Sequence, residues 1–189
     1  MTFHLPLYLP PPGVEAILIA LVLAAAVFDA RYRRIPNWLS VTGVVVGLAM
    51  NAFLDQSRPG MFVASLLGLA IAFAVYFVLY ALRAMGAGDV KLMAAVGAVV
   101  GWPNWFGIFI VTAIIGGIMA LILVTARGRV KKTLWNVAFI LSEMKGGRPA
   151  YMGREELDVK SPKSVGLPHG AVIAVGTFFF LALSAHFTR

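Results

Sequence analysis

An all-α, polytopic membrane bundle of about six transmembrane helices is the fold class that the sequence predicts, on three observations. Of the 189 residues, 60% are hydrophobic and only 13% are charged, where a soluble domain carries roughly a quarter charged residues. The apolar residues fall in runs near the ~20 that a helix needs to cross a hydrocarbon core of about 30 Å. These runs lack the period-2 alternation of barrel strands, and inside lipid every backbone group must bond within its own segment, which leaves helices.

The chain opens on "MTFHLPLYLPPPGVEA", which has no basic start, and Pro10, Pro11 and Pro12 cannot continue a helix. It predicts a short extramembrane lead rather than a cleaved signal, with the first helix retained. The apolar runs extend from Val14 to Phe28, Ile35 to Leu54, Met61 to Leu82, Val90 to Trp102, Trp105 to Ala126 and Val165 to Phe187. The fourth is the shortest: Gly97, Gly101 and Pro103 hold it below ~17 residues unless it starts inside the "GAGD" turn or lies in a thinned region, and a re-entrant segment also fits. Gly43 with Gly47, and Gly97 with Gly101, are small-xxx-small spacings that allow helices to approach closely. Residues 1–189 form a single integral-membrane domain with one long loop over 127–164. Within that loop Lys131 to Met144 pairs a basic start with Leu134, Trp135, Val137, Phe139 and Leu141, which suits either an interfacial helix or a plain tether.

Orientation follows from lysine and arginine. Arg31, Arg33, Arg34, Arg83, Lys91 and nine more from Arg127 to Lys163 fall on one side, against Arg58 and the terminal Arg189 on the other. The positive-inside rule therefore places the first set in the cytoplasm and both termini outside. The net charge of +8 reflects this bias and attraction to anionic membrane lipids, not a nucleic-acid partner. With no cysteine, the chain has no disulfide framework, thiolate metal site or cysteine nucleophile.

Sorted by depth, Glu15 and Asp55 lie at outer helix ends, and Glu143, Glu155, Glu156 and Asp158 belong to the long loop. Asp29 and Asp89 differ. The first ends one helix and the second opens another, so both reach the cytoplasmic boundary although about sixty residues separate them. Each alone has a structural explanation: Asp89 as an N-cap, Asp29 as an ion-pair partner of Arg33 four residues on. Ionisable groups at membrane depth are nonetheless costly, and Gly86 and Gly88 around Asp89 permit positive φ and close approach of another backbone, such as an extended peptide. Two carboxylates that meet hold one proton between them and titrate as a unit. One then acts as general base on water while the other donates to a scissile carbonyl, which is peptide hydrolysis without a covalent intermediate. The sequence offers no cysteine nucleophile, no zinc-binding His pair at helical spacing and no Gly-x-Ser-x-Gly elbow.

"FDARYRRIPNWLS" (Phe28 to Ser40) resembles the first aspartate motif of type IV prepilin peptidases, and "GAGDVKLMA" (Gly86 to Ala94) resembles their second. "GLPHGAVIAVG" (Gly166 to Gly176) is similar to the entry of their last helix, with His169 after Pro168 where an aromatic is common. The resemblance implies a GxGD-type aspartic peptidase of the bacterial inner membrane that removes the basic leader from prepilins and pseudopilins at the cytoplasmic face, working beside pilus or secretion machinery. It implies Asp29 and Asp89 as the catalytic pair, no cofactor and no metal. Ile35, Pro36 and Asn37 fall in the first motif; Gly86, Gly88 and Lys91 fall in the second. His169 invites two readings, a group that tunes the pair's proton affinity or a ring filling space.

Longer family members carry a cytoplasmic insertion with paired cysteines and also methylate the new N-terminus. This chain has neither cysteine nor insertion before Asp29, so it resembles the short branch serving tight-adherence (Flp-type) pili and is expected to act as a peptidase alone. Other classes stay open on the residues. A proton-coupled transporter needs acids toward the midplane along a polar path, and a non-enzymatic scaffold of a pilus machine tolerates Asn at positions 29 and 89. A presenilin-like protease shares Gly-x-Gly-Asp, but a basic juxtamembrane motif around Asp29 suits cleavage just outside the bilayer.

Overall fold

The computed structural model describes residues 10–54, 56–82, 84–128, 130, 131, 133, 135 and 169–187. These hold five helices long and apolar enough to cross a membrane: α1 (Pro12–Tyr32), α2 (Asn37–Leu54), α3 (Met61–Ala81), α4 (Ala87–Ala126) and α5 (His169–Phe187). The segment expected over Lys131 to Met144 falls largely outside the described residues, as do Pro168, Asp55 and the lead before Pro10.

Local chemistry sets the boundaries. Pro12 sits in the first turn of α1, where its missing amide hydrogen would have had no partner. Arg33 closes α1 in the left-handed conformation, φ 53°, donating its amide to the Asp29 carbonyl at 2.9 Å. Pro36 then bars Ile35 from the helical region, so the chain reverses within three residues and α2 starts at Asn37. This short turn keeps the end of α1 and the start of α2 at one end of the bundle.

The count of five, against an expected six, has its cause in α4. There the runs Val90 to Trp102 and Trp105 to Ala126 form one 40-residue element broken at Gly101, φ 76° and ψ 167°. In a straight helix Asp89 and Gly117 would stand about 42 Å apart, yet both line one cavity. The chain therefore folds back at Gly101, and arms 87–100 and 102–126 run side by side. The first arm measures only about 21 Å at 1.5 Å per residue. It begins inside the "GAGD" turn, is buried from Leu92 to Gly101, and belongs to a helix that packs against each of the other four. Because protein rather than lipid surrounds this arm, it needs no length matched to the bilayer.

The break frees carbonyls that an apolar interior cannot hydrate. Pro103 has no amide hydrogen for the Val99 carbonyl. Asn51 of α2 supplies the missing donor: its Nδ2 lies 2.9 Å from the Val99 oxygen, 3.3 Å from that of Ala98 and 2.9 Å from that of Gly47. Ser65 of α3 donates to the Ala98 carbonyl at 2.6 Å. Close approach of backbones completes the core. A Cβ on Gly68 or Gly97 would collide with the carbonyl of the other, and one on Gly47 would lie 2.9 Å from the Val99 backbone, so the expected small-residue spacings do pack helices. Leu23, Val27, Val45, Phe77, Ile114 and Leu121 are exposed, as side chains facing lipid must be.

Candidate active site

Asp29 lies near the C-terminal end of α1, and its side chain turns toward α5. Its Oδ2 accepts a hydrogen bond of 2.8 Å from the amide of Gly170, so the positive end of the α5 dipole faces the carboxylate. A Cβ at position 170 would stand 2.9 Å from the Asp29 Cβ and 3.1 Å from Oδ2; glycine is what lets the two elements meet. Asp29 thus bonds to a helix amide, while the Arg33 backbone closes α1.

Asp89 is the third residue of α4 and only 7% exposed. Its Oδ2 accepts from the Gly86 amide at 3.1 Å. The cap residue is therefore Gly86, and Asp89 supplies the returning half of a capping box, a correction to its reading as the N-cap itself. This bond occupies one carboxylate oxygen; the other has no hydrogen-bond partner among the described residues. Asp29 and His169 both stand within electrostatic reach of Asp89. Two carboxylates from α1 and α4 and the imidazole that opens α5 thus gather at one end of the bundle.

The glycines do less than their motif suggests. Gly86 has φ −81°, Gly88 is helical, and neither adopts the positive φ that the sequence allows. A Cβ at Gly86 would touch Asp89 Oδ2 at 3.4 Å and one at Gly88 would touch Ile35 at 3.4 Å, both ordinary contacts. The fold by itself does not require glycine at either place. Ile35 nevertheless packs the first motif onto the second.

Lys91 and Asn37 form the other junction between the motifs. Lys91 Nζ donates to Asn37 Oδ1 at 2.8 Å. Two positions past Asp89, Lys91 projects about 200° around the helix, and with Asn37 it lines a groove between α2, α3 and α4. The structure therefore does not bring these two onto the Asp89 side. Pro36 is half-buried in the turn between α1 and α2.

The Asp89 side holds a cavity of about 360 Å³ between α3, both arms of α4 and α5. His169 lines it, together with residues the sequence reading did not single out: Tyr76, Phe109, Thr112, Gly116 and Gly117. Two signals could have found them, a lone fully apolar context around Tyr76 in "FAVYFV" and the adjacent glycines of "IIGGIM", which weaken a helix unless space is needed. Among the described residues no three metal-ligating side chains form a cluster. A buried carboxylate on a cavity wall, with a second carboxylate in reach, can divide acid and base roles on a bound water and a carbonyl.

The sequence profile of the type IV leader peptidase family matches residues 16–121. Curated relatives are each called prepilin leader peptidase/N-methyltransferase. The protein from Klebsiella pneumoniae is 35% identical over 104 residues, covering 50% of this chain and 45% of the relative. That from Myxococcus xanthus is 25% identical over 126 residues, 60% of this chain and 35% of the relative. That from Xanthomonas campestris pv. campestris is 28% identical over 131 residues, 64% and 44%. The chain thus spans less than half the length of the relatives it matches. No solved structure matches it. Since the profile covers more than half of the chain and takes in both Asp29 and Asp89 with their surrounding motifs, the chain belongs to the type IV leader peptidase family.

Proposed function

We propose that the protein is a membrane aspartic endopeptidase that removes the basic leader peptide from prepilins or pseudopilins. One observation carries the reading: Asp29 and Asp89, from different helices, stand within electrostatic reach of each other at one end of the bundle. In the proposed reaction one carboxylate takes a proton from water as the oxygen adds to the scissile carbonyl carbon. The other donates a proton to the carbonyl oxygen. Collapse of the tetrahedral species breaks the C–N bond, and the leaving amine takes up a proton. The relatives' printed names support the substrate class. Lysine and arginine placement supports a site toward the cytoplasm in a bacterial inner membrane, and peptidase activity without N-methyl transfer rests on the resemblance to the short branch, although the relatives' names carry both activities.

The test is co-expression with a prepilin from the same cell, following leader removal by pilin mass for wild type, Asp29→Asn and Asp89→Asn. Both variants keep shape and remove the ionisable group. Cleavage abolished in both, with the protein still inserted, is the expected result; normal cleavage in both would turn the reading toward a non-enzymatic scaffold.

A further inference from the structure

The cavity beside Asp89 has features that the carboxylate pair does not use. Tyr76 lines it at only 2% exposure and lies within electrostatic reach of Asp89. Among the described residues its hydroxyl has no hydrogen-bond partner. A phenol on the wall of this cavity, beside a carboxylate, is a donor available to something that enters. Across the cavity, Gly116 and Gly117 lie within the second arm of α4. A Cβ at Gly117 would meet nothing within 4 Å, and one at Gly116 would only touch Val172 at 3.4 Å. Helix packing does not demand these glycines, each of which weakens a helix by about 0.5–1 kcal/mol relative to Ala. Their effect is to leave volume beside Asp89.

Size and polarity narrow the occupant. A cavity of about 360 Å³ admits one or two side chains of a peptide. Apart from Asp89, Tyr76, Thr112 and His169 the wall is apolar, with Phe109, Ala113, Val172 and Ile173. These surfaces suit the first residues of an apolar mature helix better than a basic leader. An extended peptide in this setting also brings a carbonyl that needs a donor.

We infer that this cavity receives the apolar side chain immediately following the scissile bond, that the Gly116–Gly117 wall sets the size accepted, and that the Tyr76 hydroxyl donates to the backbone carbonyl of the same substrate residue. The inference rests on the peptidase reading above.

The experiment uses the full chain in liposomes and two prepilins that differ only in the residue after the scissile bond, Phe or Ala. Gly117→Leu is expected to lower kcat/KM for the Phe substrate at least tenfold more than for the Ala substrate. Tyr76→Phe is expected to lower both by a common factor of three to ten, leaving their ratio unchanged. Should Gly117→Leu fail to insert, Gly117→Ala decides the matter, because its Cβ meets no neighbour; its Phe-to-Ala ratio must fall in the same direction. A ratio unmoved in the variant that inserts overturns the pocket while leaving the peptidase reading intact. A wild-type protein that cleaves neither prepilin removes both.

Discussion

Asp29 and Gly170, 141 positions apart, are joined by one hydrogen bond of 2.8 Å from the Gly170 amide to Asp29 Oδ2. This contact ties the end of α1 to the start of α5 and orients a carboxylate that would otherwise swing toward lipid or solvent. Because the same helix start carries His169 on the wall that Asp89 shares, α5 organises both acids at once.

Gly170→Ala should therefore impair the site more than the fold. The added methyl would lie 2.9 Å from the Asp29 Cβ, so either the aspartate or α5 must shift, and the bond lengthens. Prepilin cleavage is expected to fall at least about tenfold, near 1.4 kcal/mol in barrier, with membrane insertion retained. Wild-type turnover in this variant would show that the Gly170 amide does not position Asp29.

Asn51 should matter to stability rather than chemistry. Asn51→Leu strands the Val99 carbonyl, for which Pro103 offers no amide, and weakens the capping of Ala98. An unsatisfied buried carbonyl costs about 1–3 kcal/mol, which unfolding in mixed detergent micelles can measure. An Asn51→Leu variant as stable as wild type would separate Asn51 from the kink.

Much of this was legible in the sequence, and the reasons differ by residue. Asp29 and Asp89 stood out because few charges interrupt the apolar runs, and their motifs fixed the pairing. The reversal at Gly101 was half visible: Gly101 and Pro103 marked a short segment, but periodicity alone cannot tell a kink from a loop. Asn51 was not read because its donor role exists only once α2 lies against a broken α4. Tyr76 and the Gly116–Gly117 wall carry weak signals in the sequence, but their shared role needs the fold, since a cavity belongs to no single segment. The φ freedom of the glycines in the second motif is unused in the structure.

That last point yields a contrast. Gly88 sits inside α4 with only ordinary contact awaiting a Cβ, whereas at Gly97 a Cβ would collide with the Gly68 backbone. Gly88→Ala should leave stability unchanged or raise it by up to about 1 kcal/mol, and Gly97→Ala should lower it by several times that amount or block folding, as overpacking does. If an extended substrate approaches over Gly88, the stable variant will also cleave more slowly. A Gly88→Ala protein that is both stable and fully active would remove the need for backbone approach at that residue.

Lys91 and Asn37 provide the last test, because their bond joins the two motifs without facing the cavity. Nζ and Oδ1 are 2.8 Å apart in an exposed setting, where such a contact contributes about 1 kcal/mol or less. Lys91→Met should therefore slow cleavage by no more than about tenfold, unlike Asp89→Asn, which should abolish it. The partners share a single interaction, so Asn37→Leu added to Lys91→Met should cost nearly nothing further, and a double-mutant cycle on initial rates will show coupling of the same size as the smaller single effect. If Lys91→Met instead matches Asp89→Asn while Asn37→Leu is harmless, the lysine acts on substrate or on the acids directly, and its side chain must leave Asn37 during turnover.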